Sequence, residues 1–225
     1  MRIAYFVEGW LRNTQYGENM QAPQTEPKRL TFTGWMRLQT KGILEPLADF
    51  FIRLGLHPNT MTLIGLAGNI VGAVFLAFGF MTVGGLFILL SGPFDGLDGT
   101  MARKLGQPTH FGAFVDSVTD RWSEMLILLG LLIHYLQRPE GYFLPVVLVF
   151  VATMGSVMVS YTKARAEALG FDCNVGVLTR MERYLVMTPA LLLNLPQVAL
   201  WAIAILANVT ALQRTLYVRR QARKS

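Results

Sequence analysis

Four aspartates occur where the chain is otherwise apolar, and their spacing suits metal ligation. Asp95 and Asp98 are three residues apart and Asp116 and Asp120 are four apart, so each pair shares one face of a helix. A charge at the middle of a bilayer costs about 2.5–3.5 kcal/mol, and four carboxylates therefore need a counter-charge. Divalent cations supply it, and all-oxygen ligation favours Mg²⁺ or Mn²⁺. Two such ions about 3.5–4 Å apart form the usual clamp for displacement at phosphorus.

The turn between the two pairs is expected to place them opposite each other. Asp98 and Asp116 each lie about eight residues from a Gly-Gln-Pro turn at residues 106–108, or about 12 Å along a helix. Asp95 and Asp120 lie one helical turn further from it. The sequence therefore predicts two antiparallel helices that present both pairs at matching depths.

The residues beside the aspartates favour a phosphorylated ligand. Gly99 lets such a ligand approach the backbone, Ala102 keeps the next turn clear, and Gly112 opens the facing helix in the same way. Arg103 places a cation at the end of its helix, where its guanidinium can hold a pyrophosphate. A competing interpretation stays open, in which the carboxylates form a proton relay or pair with Arg103 and Arg121.

The composition predicts a membrane protein. Of 225 residues, 52% are hydrophobic and 15% are charged, with a mean hydropathy of +0.41, whereas soluble domains carry about 25% charge. No Asp, Glu, Lys or Arg occurs in residues 54–94, 141–162 or 184–213, and a spanning helix needs about 20 mostly apolar residues. A soluble globule and a disordered chain are excluded, and the single Cys173 excludes a disulfide scaffold.

The fold class expected is all-α, with six transmembrane helices and both termini in the cytoplasm. The predicted spans are residues 60–80, 86–104, 111–136, 141–168, 179–193 and 197–217. Of the 20 Lys and Arg residues only Arg138 lies in a loop on the far side, so the positive-inside rule places the ends in the cytoplasm. The start of the chain lacks signal-peptide features, and the first span is expected to direct insertion. The net charge of +6 follows from this topology and does not indicate a nucleic-acid partner.

Two segments precede the spans. Residues 1–32 are polar and are predicted to be an extension, while residues 57–225 form the catalytic domain. Residues 33–56 predict an amphipathic helix that lies flat in the membrane interface. Its apolar face carries Ile43, Leu47, Phe50 and Leu54, with Leu44 and Phe51 beside them, and its polar face carries Arg37, Lys41, Glu45, Asp49 and Arg53.

The run Asp95-x-x-Asp98-Gly99-x-x-Ala102-Arg103, then Gly112-x-x-x-Asp116-x-x-x-Asp120, resembles the signature of the CDP-alcohol phosphotransferases at all eight fixed positions. The resemblance extends from about residue 33 to the end of the chain. It implies that the first three aspartates bind two metal ions, with Asp116 bridging, and that Asp120 is the general base and a further ligand of the second ion. The alcohol would attack the lipid-linked phosphorus of CDP-diacylglycerol, and CMP would leave. Three residues match a stretch near the nucleotide in the family: Pro58, Asn59 and Thr62.

A second motif bears on the acceptor alcohol. Ser160-Tyr161-x-Lys163-x-Arg165-x-Glu167, followed by Arg180-x-Glu182-Arg183, is similar to the branch that uses inositol phosphate. Lys163, Arg165, Arg180 and Arg183 are predicted to bind the acceptor's phosphate. Inositol 1-phosphate is the expected acceptor, and glycerol 3-phosphate, giving phosphatidylglycerophosphate, is the alternative. The resemblance also implies a homodimer in a prokaryotic inner membrane, with its active site facing the cytoplasm.

An ion or proton transporter is the hypothesis from a different class, with the aspartates as a relay. Transporters usually place such charges near the midplane on broken helices, whereas these lie toward the cytoplasmic end. No internal repeat is visible, and a purely structural membrane protein would leave the four aspartates unexplained.

Overall fold

The computed structural model describes residues 32–106, 109–138 and 142–223, and regular structure in these ranges is entirely α-helical. Residues 38–225 form one compact unit, to which the first turns of α1 do not belong. Within these ranges the helices are α1 (Phe32–Arg53), α2 (Pro58–Ala77), α3 (Met81–Lys104), α4 (His110–Leu136), α5 (Phe143–Ala168), α6 (Arg180–Leu192) and α7 (Pro196–Ala222).

Each predicted helix is present, with ends within about five residues of those expected. The chain turns at Gly79 (φ 89°) and Gly106 (φ 65°), because glycine enters this left-handed region without a steric penalty. Pro58 and Pro196 begin α2 and α7, where a missing backbone N–H costs nothing. Helix α7 ends at Ala222 rather than near residue 217. The extension predicted over residues 1–32 lies outside the described residues except for its last residue.

Three helices have the length and hydropathy of membrane spans: α2, α5 and α7. Helices α3 and α4 have 24 and 27 residues, but the aspartates lower their hydropathy. Helix α6 has only 13 residues, or about 20 Å, which is shorter than the roughly 30 Å hydrocarbon core. The protein is therefore an all-helical membrane protein, while the count of six spans and the side of each terminus stay predictions.

Helix α2 separates the two aspartate-bearing helices over most of their length. It packs against both α3 and α4, whereas α3 and α4 contact each other little. The close approach requires glycine: a Cβ on Gly130 of α4 would lie 2.4 Å from the Ala73 carbonyl oxygen of α2. Helix α6 packs against α3 and α7, and α5 packs against α7 and α4. The direct antiparallel pairing expected for α3 and α4 is thus replaced by packing on α2.

Helix α1 has two apolar faces in its C-terminal half. Leu44, Ala48 and Phe51 pack against a small core formed with α2 and α3. Phe50 and Leu54 are 56% and 59% exposed, as expected for side chains that face lipid at an interface. Lys104 Nζ contacts Asp49 Oδ1 at 2.6 Å and ties the helix to the end of α3.

Candidate active site

Asp98 is held by two hydrogen bonds at the buried side of α3. The Thr62 hydroxyl of α2 donates to its Oδ2 at 2.6 Å, and the Gly99 backbone N–H donates to its Oδ1 at 2.5 Å. Thr62 is itself buried, whereas Asn59 is exposed in the first turn of α2. Thr62 therefore orients a carboxylate, and the contact of Pro58, Asn59 and Thr62 with a nucleotide stays a prediction.

Arg180 of α6 joins the two helices that carry the aspartates. Its Nη2 lies 2.7 Å from Asp95 Oδ2 of α3, and its Nη1 contacts Asp120 Oδ2 of α4. Arg121 Nη1 is 3.6 Å from the same Asp120 oxygen. Arg180, which is 60 or more residues away in the chain, thus supplies a counter-charge that the sequence analysis did not anticipate.

Asp116 completes the group of four carboxylates, named the aspartate cluster from here on. Its charge acts on Asp95, Asp98 and Asp120 alike. Among the described residues, no three His, Cys, Asp or Glu side chains already converge as a metal centre. The donor set still fits a divalent ion, because its four carboxylates offer only the oxygen ligands that Mg²⁺ and Mn²⁺ prefer. The number of ions stays a prediction.

The small and basic residues of the motif lie at the ends of α3 and α4. Arg103 is exposed, donates to the Thr100 hydroxyl at 3.1 Å, and lines a cleft of about 260 Å³. A Cβ on Gly99 would lie 3.5 Å from Arg103 Nη1, an ordinary van der Waals distance. Ala102 is half-buried. The Gly112 N–H donates to Thr109 Oγ1 at 2.9 Å, the bond that caps α4.

A cavity of about 50 Å³ lies behind the aspartate cluster. Asp95, Asp120 and Arg180 form one wall, and Ser123 contributes a buried hydroxyl oxygen without a hydrogen-bond partner among the described residues. This volume exceeds the roughly 10–15 Å³ that one water molecule requires. The aspartate cluster thus borders a small cavity inside the bundle whose lining surface is mostly apolar.

Glu124 is a fifth acidic residue of this region that the sequence analysis missed. Glu124 lies four residues after Asp120, just as Asp120 lies four residues after Asp116. This regular spacing could have indicated from the sequence that all three share one face of the helix. Arg183 holds Glu124 through two hydrogen bonds, Nε to Oε1 at 2.5 Å and Nη2 to Oε2 at 2.8 Å. This bidentate pair links α6 to α4 one helical turn beyond Arg180 and Asp120.

The four basic residues predicted to bind the acceptor do not form one open cluster. Arg183 is only 2% exposed, so the prediction that it faces open water is wrong. Arg180 is paired within the aspartate cluster, Lys163 lies 3.6 Å from Glu167, and Arg165 is exposed on α5. Their role in binding an acceptor phosphate stays a prediction.

We expect Arg183→Met to destabilise the protein by about 3 kcal/mol, because it leaves Glu124 charged and unpaired inside the bundle. For a chain of this size that corresponds to a melting temperature roughly 6–12 °C lower. The double variant Arg183→Met/Glu124→Gln should recover most of the loss. Thermal unfolding in detergent measures both, and a double variant less stable than Arg183→Met would contradict the pairing.

Comparison with known proteins identifies the family. The family model described as CDP-alcohol phosphatidyltransferase matches residues 55–213, which include the aspartate cluster and every helix from α2 to α6. The chain belongs to this family. It is therefore a phosphatidyltransferase of the membrane, and the transporter hypothesis is set aside.

Several relatives of this phosphatidyltransferase are similar over most of their length. An uncharacterized protein of Aquifex aeolicus is 40% identical over 76% of this chain and 87% of its own. A phosphatidylinositol phosphate synthase of Streptomyces avermitilis is 38% identical over 80% of this chain and 79% of its own.

The fold is similar to crystal structures of a phosphatidylinositol phosphate synthase of Mycobacterium tuberculosis, at 30% identity. With CDP-DAG bound, that structure gives a TM-score of 0.70 and covers 78% of this chain and 93% of its own. In complex with manganese and citrate, it gives a TM-score of 0.72 and covers 78% and 88%.

Proposed function

We propose that this protein transfers a phosphatidyl group from CDP-diacylglycerol to inositol 1-phosphate, giving phosphatidylinositol phosphate and CMP. The observation that carries the proposal is the aspartate cluster, in which α3 and α4 present four carboxylates next to Arg180. The similar synthases of Streptomyces avermitilis and Mycobacterium tuberculosis support the choice of acceptor.

The aspartate cluster is proposed to hold the metal, with Asp95, Asp98 and Asp116 as ligands and Asp120 beside them. These carboxylates would hold Mg²⁺ or Mn²⁺, two ions in this proposal, which would supply positive charge to the pyrophosphate. Thr62 keeps the Asp98 carboxylate turned toward the cluster. The geometry of the cluster thus depends on residues of α2 and α6 as well as on the motif itself.

Asp120 is proposed to accept the proton of the acceptor's hydroxyl group. The hydroxyl oxygen then forms a bond to the lipid-linked phosphorus, the bond from that phosphorus to the CMP oxygen breaks, and CMP leaves. Arg103, at the exposed end of α3, is placed to pair with the pyrophosphate through its guanidinium. Gly99, Ala102 and Gly112 leave room for the nucleotide beside the helices.

The acceptor's phosphate is proposed to bind on the α5 and α6 side of the cluster. Lys163 and Arg165 lie near the C-terminal end of α5, and Arg180 and Arg183 begin α6. Because Arg183 is already paired with Glu124, it would not contact the acceptor's phosphate directly. Arg183 would instead orient Arg180, one helical turn away, and add positive charge near it. The ion pair of Lys163 with Glu167 is long, so Lys163 can give it up and contact the acceptor's phosphate instead.

The acceptor is tested by comparing CMP release with inositol 1-phosphate, glycerol 3-phosphate and free inositol. We expect inositol 1-phosphate to be best, glycerol 3-phosphate second and free inositol inactive, because a charged hydrogen bond to phosphate is worth about 1.5–3 kcal/mol. Lys163→Ala should raise the acceptor KM about tenfold and leave CDP-diacylglycerol binding unchanged.

Glu167→Gln is the matched control for Lys163→Ala, since it removes the same ion pair but keeps the cation. It should leave the acceptor KM nearly unchanged. Preference for free inositol would refute the phosphate site, and preference for glycerol 3-phosphate would assign phosphatidylglycerophosphate synthesis instead.

The remaining organisation is proposed on the same basis. Helices α2–α7 would span a prokaryotic inner membrane with both termini and the aspartate cluster toward the cytoplasm, following the positive-inside rule. Residues 1–32 would be an extension, residues 33–56 an interfacial helix and residues 57–225 the catalytic domain. The working form would be a homodimer, which cross-linking in membranes can test.

A further inference from the structure

We propose that Tyr184 is a positioning residue that fixes the path of α3 just before Asp95 and Asp98. The structure brings the Tyr184 hydroxyl of α6 to a break in the hydrogen bonding of α3 caused by Pro93. The proposal rests on the assignment of Asp95 and Asp98 as metal-holding carboxylates, and it adds a residue outside the motif on which their placement depends.

Pro93 leaves a backbone carbonyl of α3 without its usual donor. In a helix the N–H of residue 93 would donate to the carbonyl of Leu89, but proline has no N–H and its ring presses against that carbonyl. Within a membrane bundle no bulk water replaces the lost bond, so such a carbonyl must find a partner among neighbouring groups. Pro93 lies inside α3, two residues before Asp95.

Tyr184 supplies that partner from α6. Its Oη lies 3.0 Å from the carbonyl oxygen of Leu89 and 3.0 Å from that of Ile88, so its single proton can be donated to either. The contact joins residues 95 positions apart. The hydroxyl therefore substitutes for the backbone donor that Pro93 lacks.

Gly92 provides the space for the phenol ring. A Cβ at this position would lie 2.3 Å from Tyr184 Oη and 2.7 Å from its Cζ, which is closer than real side chains approach. Any other residue at 92 would push the hydroxyl away from the α3 carbonyls. Gly92 without a side chain, Pro93 without an N–H and the Tyr184 hydroxyl donor thus lie at one point of the bundle.

Helix α6 also carries the residues that hold the carboxylates. Arg180 and Arg183 precede Tyr184 by four residues and one residue, and they contact Asp95, Asp120 and Glu124. Helix α6 therefore acts on α3 at two levels, on the Asp95 carboxylate through Arg180 and on the backbone before it through Tyr184. Displacing Tyr184 should shift Asp95 and Asp98 relative to α4.

A double-mutant cycle separates this role from ordinary packing. Tyr184→Phe keeps the ring and removes the donor, whereas Pro93→Ala returns an N–H to the Leu89 carbonyl. Mn²⁺ binding is followed by electron paramagnetic resonance on purified protein, and hydrogen exchange of the α3 amides is measured without metal. Tyr217→Phe, on the exposed part of α7, is the control.

We expect Tyr184→Phe to weaken Mn²⁺ binding about tenfold and to speed amide exchange in α3 after Gly92. In the Pro93→Ala background the same substitution should change Mn²⁺ binding less than twofold. Equal effects in both backgrounds would overturn the proposal, because the hydroxyl would then act elsewhere, such as in the adjoining cavity. No effect on either readout in the wild-type background would overturn it as well.

Two further outcomes are decided by the same variants. If Tyr184→Phe alone does not fold, recovery of folded protein in Pro93→Ala/Tyr184→Phe supports the proposal, and failure to recover overturns it. If the wild-type protein binds no Mn²⁺, the proposed metal site is wrong. Amide exchange in α3 then still decides whether Tyr184 positions that helix.

Discussion

Replacing Asp98 by asparagine should reduce CMP release by about 10²–10³-fold and weaken Mg²⁺ or Mn²⁺ binding. The substitution removes a ligand charge at the centre of the aspartate cluster, and one stabilising group at a reacting centre is commonly worth about 10²–10³ in rate. The variant should still fold, because an amide oxygen can accept the Thr62 hydrogen bond. Losing a buried charge also lowers the cost of insertion.

Two other measurements serve as controls for Asp98→Asn. Asp172→Asn makes the same chemical change in the exposed loop between α5 and α6, where the Asp172 carboxylate accepts a hydrogen bond from Asn174, and it should retain full activity. Titration with EDTA should abolish CMP release by the wild-type protein. Undiminished activity in excess EDTA would refute the metal mechanism as a whole.

Asp120→Asn should lower turnover by at least about 10²-fold, the lower range for loss of a general base, while CDP-diacylglycerol still binds. The asparagine cannot take the acceptor's proton, but Asp95, Asp98 and Asp116 stay in place as ligands. Arg180 keeps its 2.7 Å contact with Asp95, so α6 should remain docked.

The two functions open to Asp120 give different kinetic results. If it is chiefly a base, kcat falls while the metal requirement and CDP-diacylglycerol affinity are nearly unchanged. Parallel loss of nucleotide binding and turnover would show instead that it is chiefly a metal ligand. Glu124→Gln, one turn further along α4, shows what removing a neighbouring carboxylate does to stability alone.

Much of the local structure was predictable because it depends on residues close together in the chain. Charge-free stretches, glycines at turns and prolines at helix starts located the helices to within a few residues. The spacing of Asp95 with Asp98, and of Asp116 with Asp120, placed each pair on a helix face without reference to the rest of the fold. The family signature then connected those faces to one kind of chemistry.

The sequence could not show which basic residues are buried and which are exposed. Arg183, Arg214 and Arg219 all lie at helix ends near the predicted cytoplasmic side, where the positive-inside rule explains any arginine equally well. In the structure Arg183 is buried against Glu124, and Arg214 is buried with its Nε 2.8 Å from the Val175 carbonyl, whereas Arg219 is exposed. Their sequence neighbourhoods do not distinguish these environments.

The sequence by itself determined which helices form and which faces carry the carboxylates, because hydrophobic periodicity and turn residues act over a few residues. Only the tertiary structure decided which distant groups meet those carboxylates. Arg180 reaches Asp95 across 85 positions and Tyr184 reaches Leu89 across 95, and both contacts depend on how α6 packs against α3. That packing depends on close contacts such as that of Gly92 with Tyr184. The absence of a side chain at Gly92 on α3 leaves the space that the Tyr184 ring of α6 occupies.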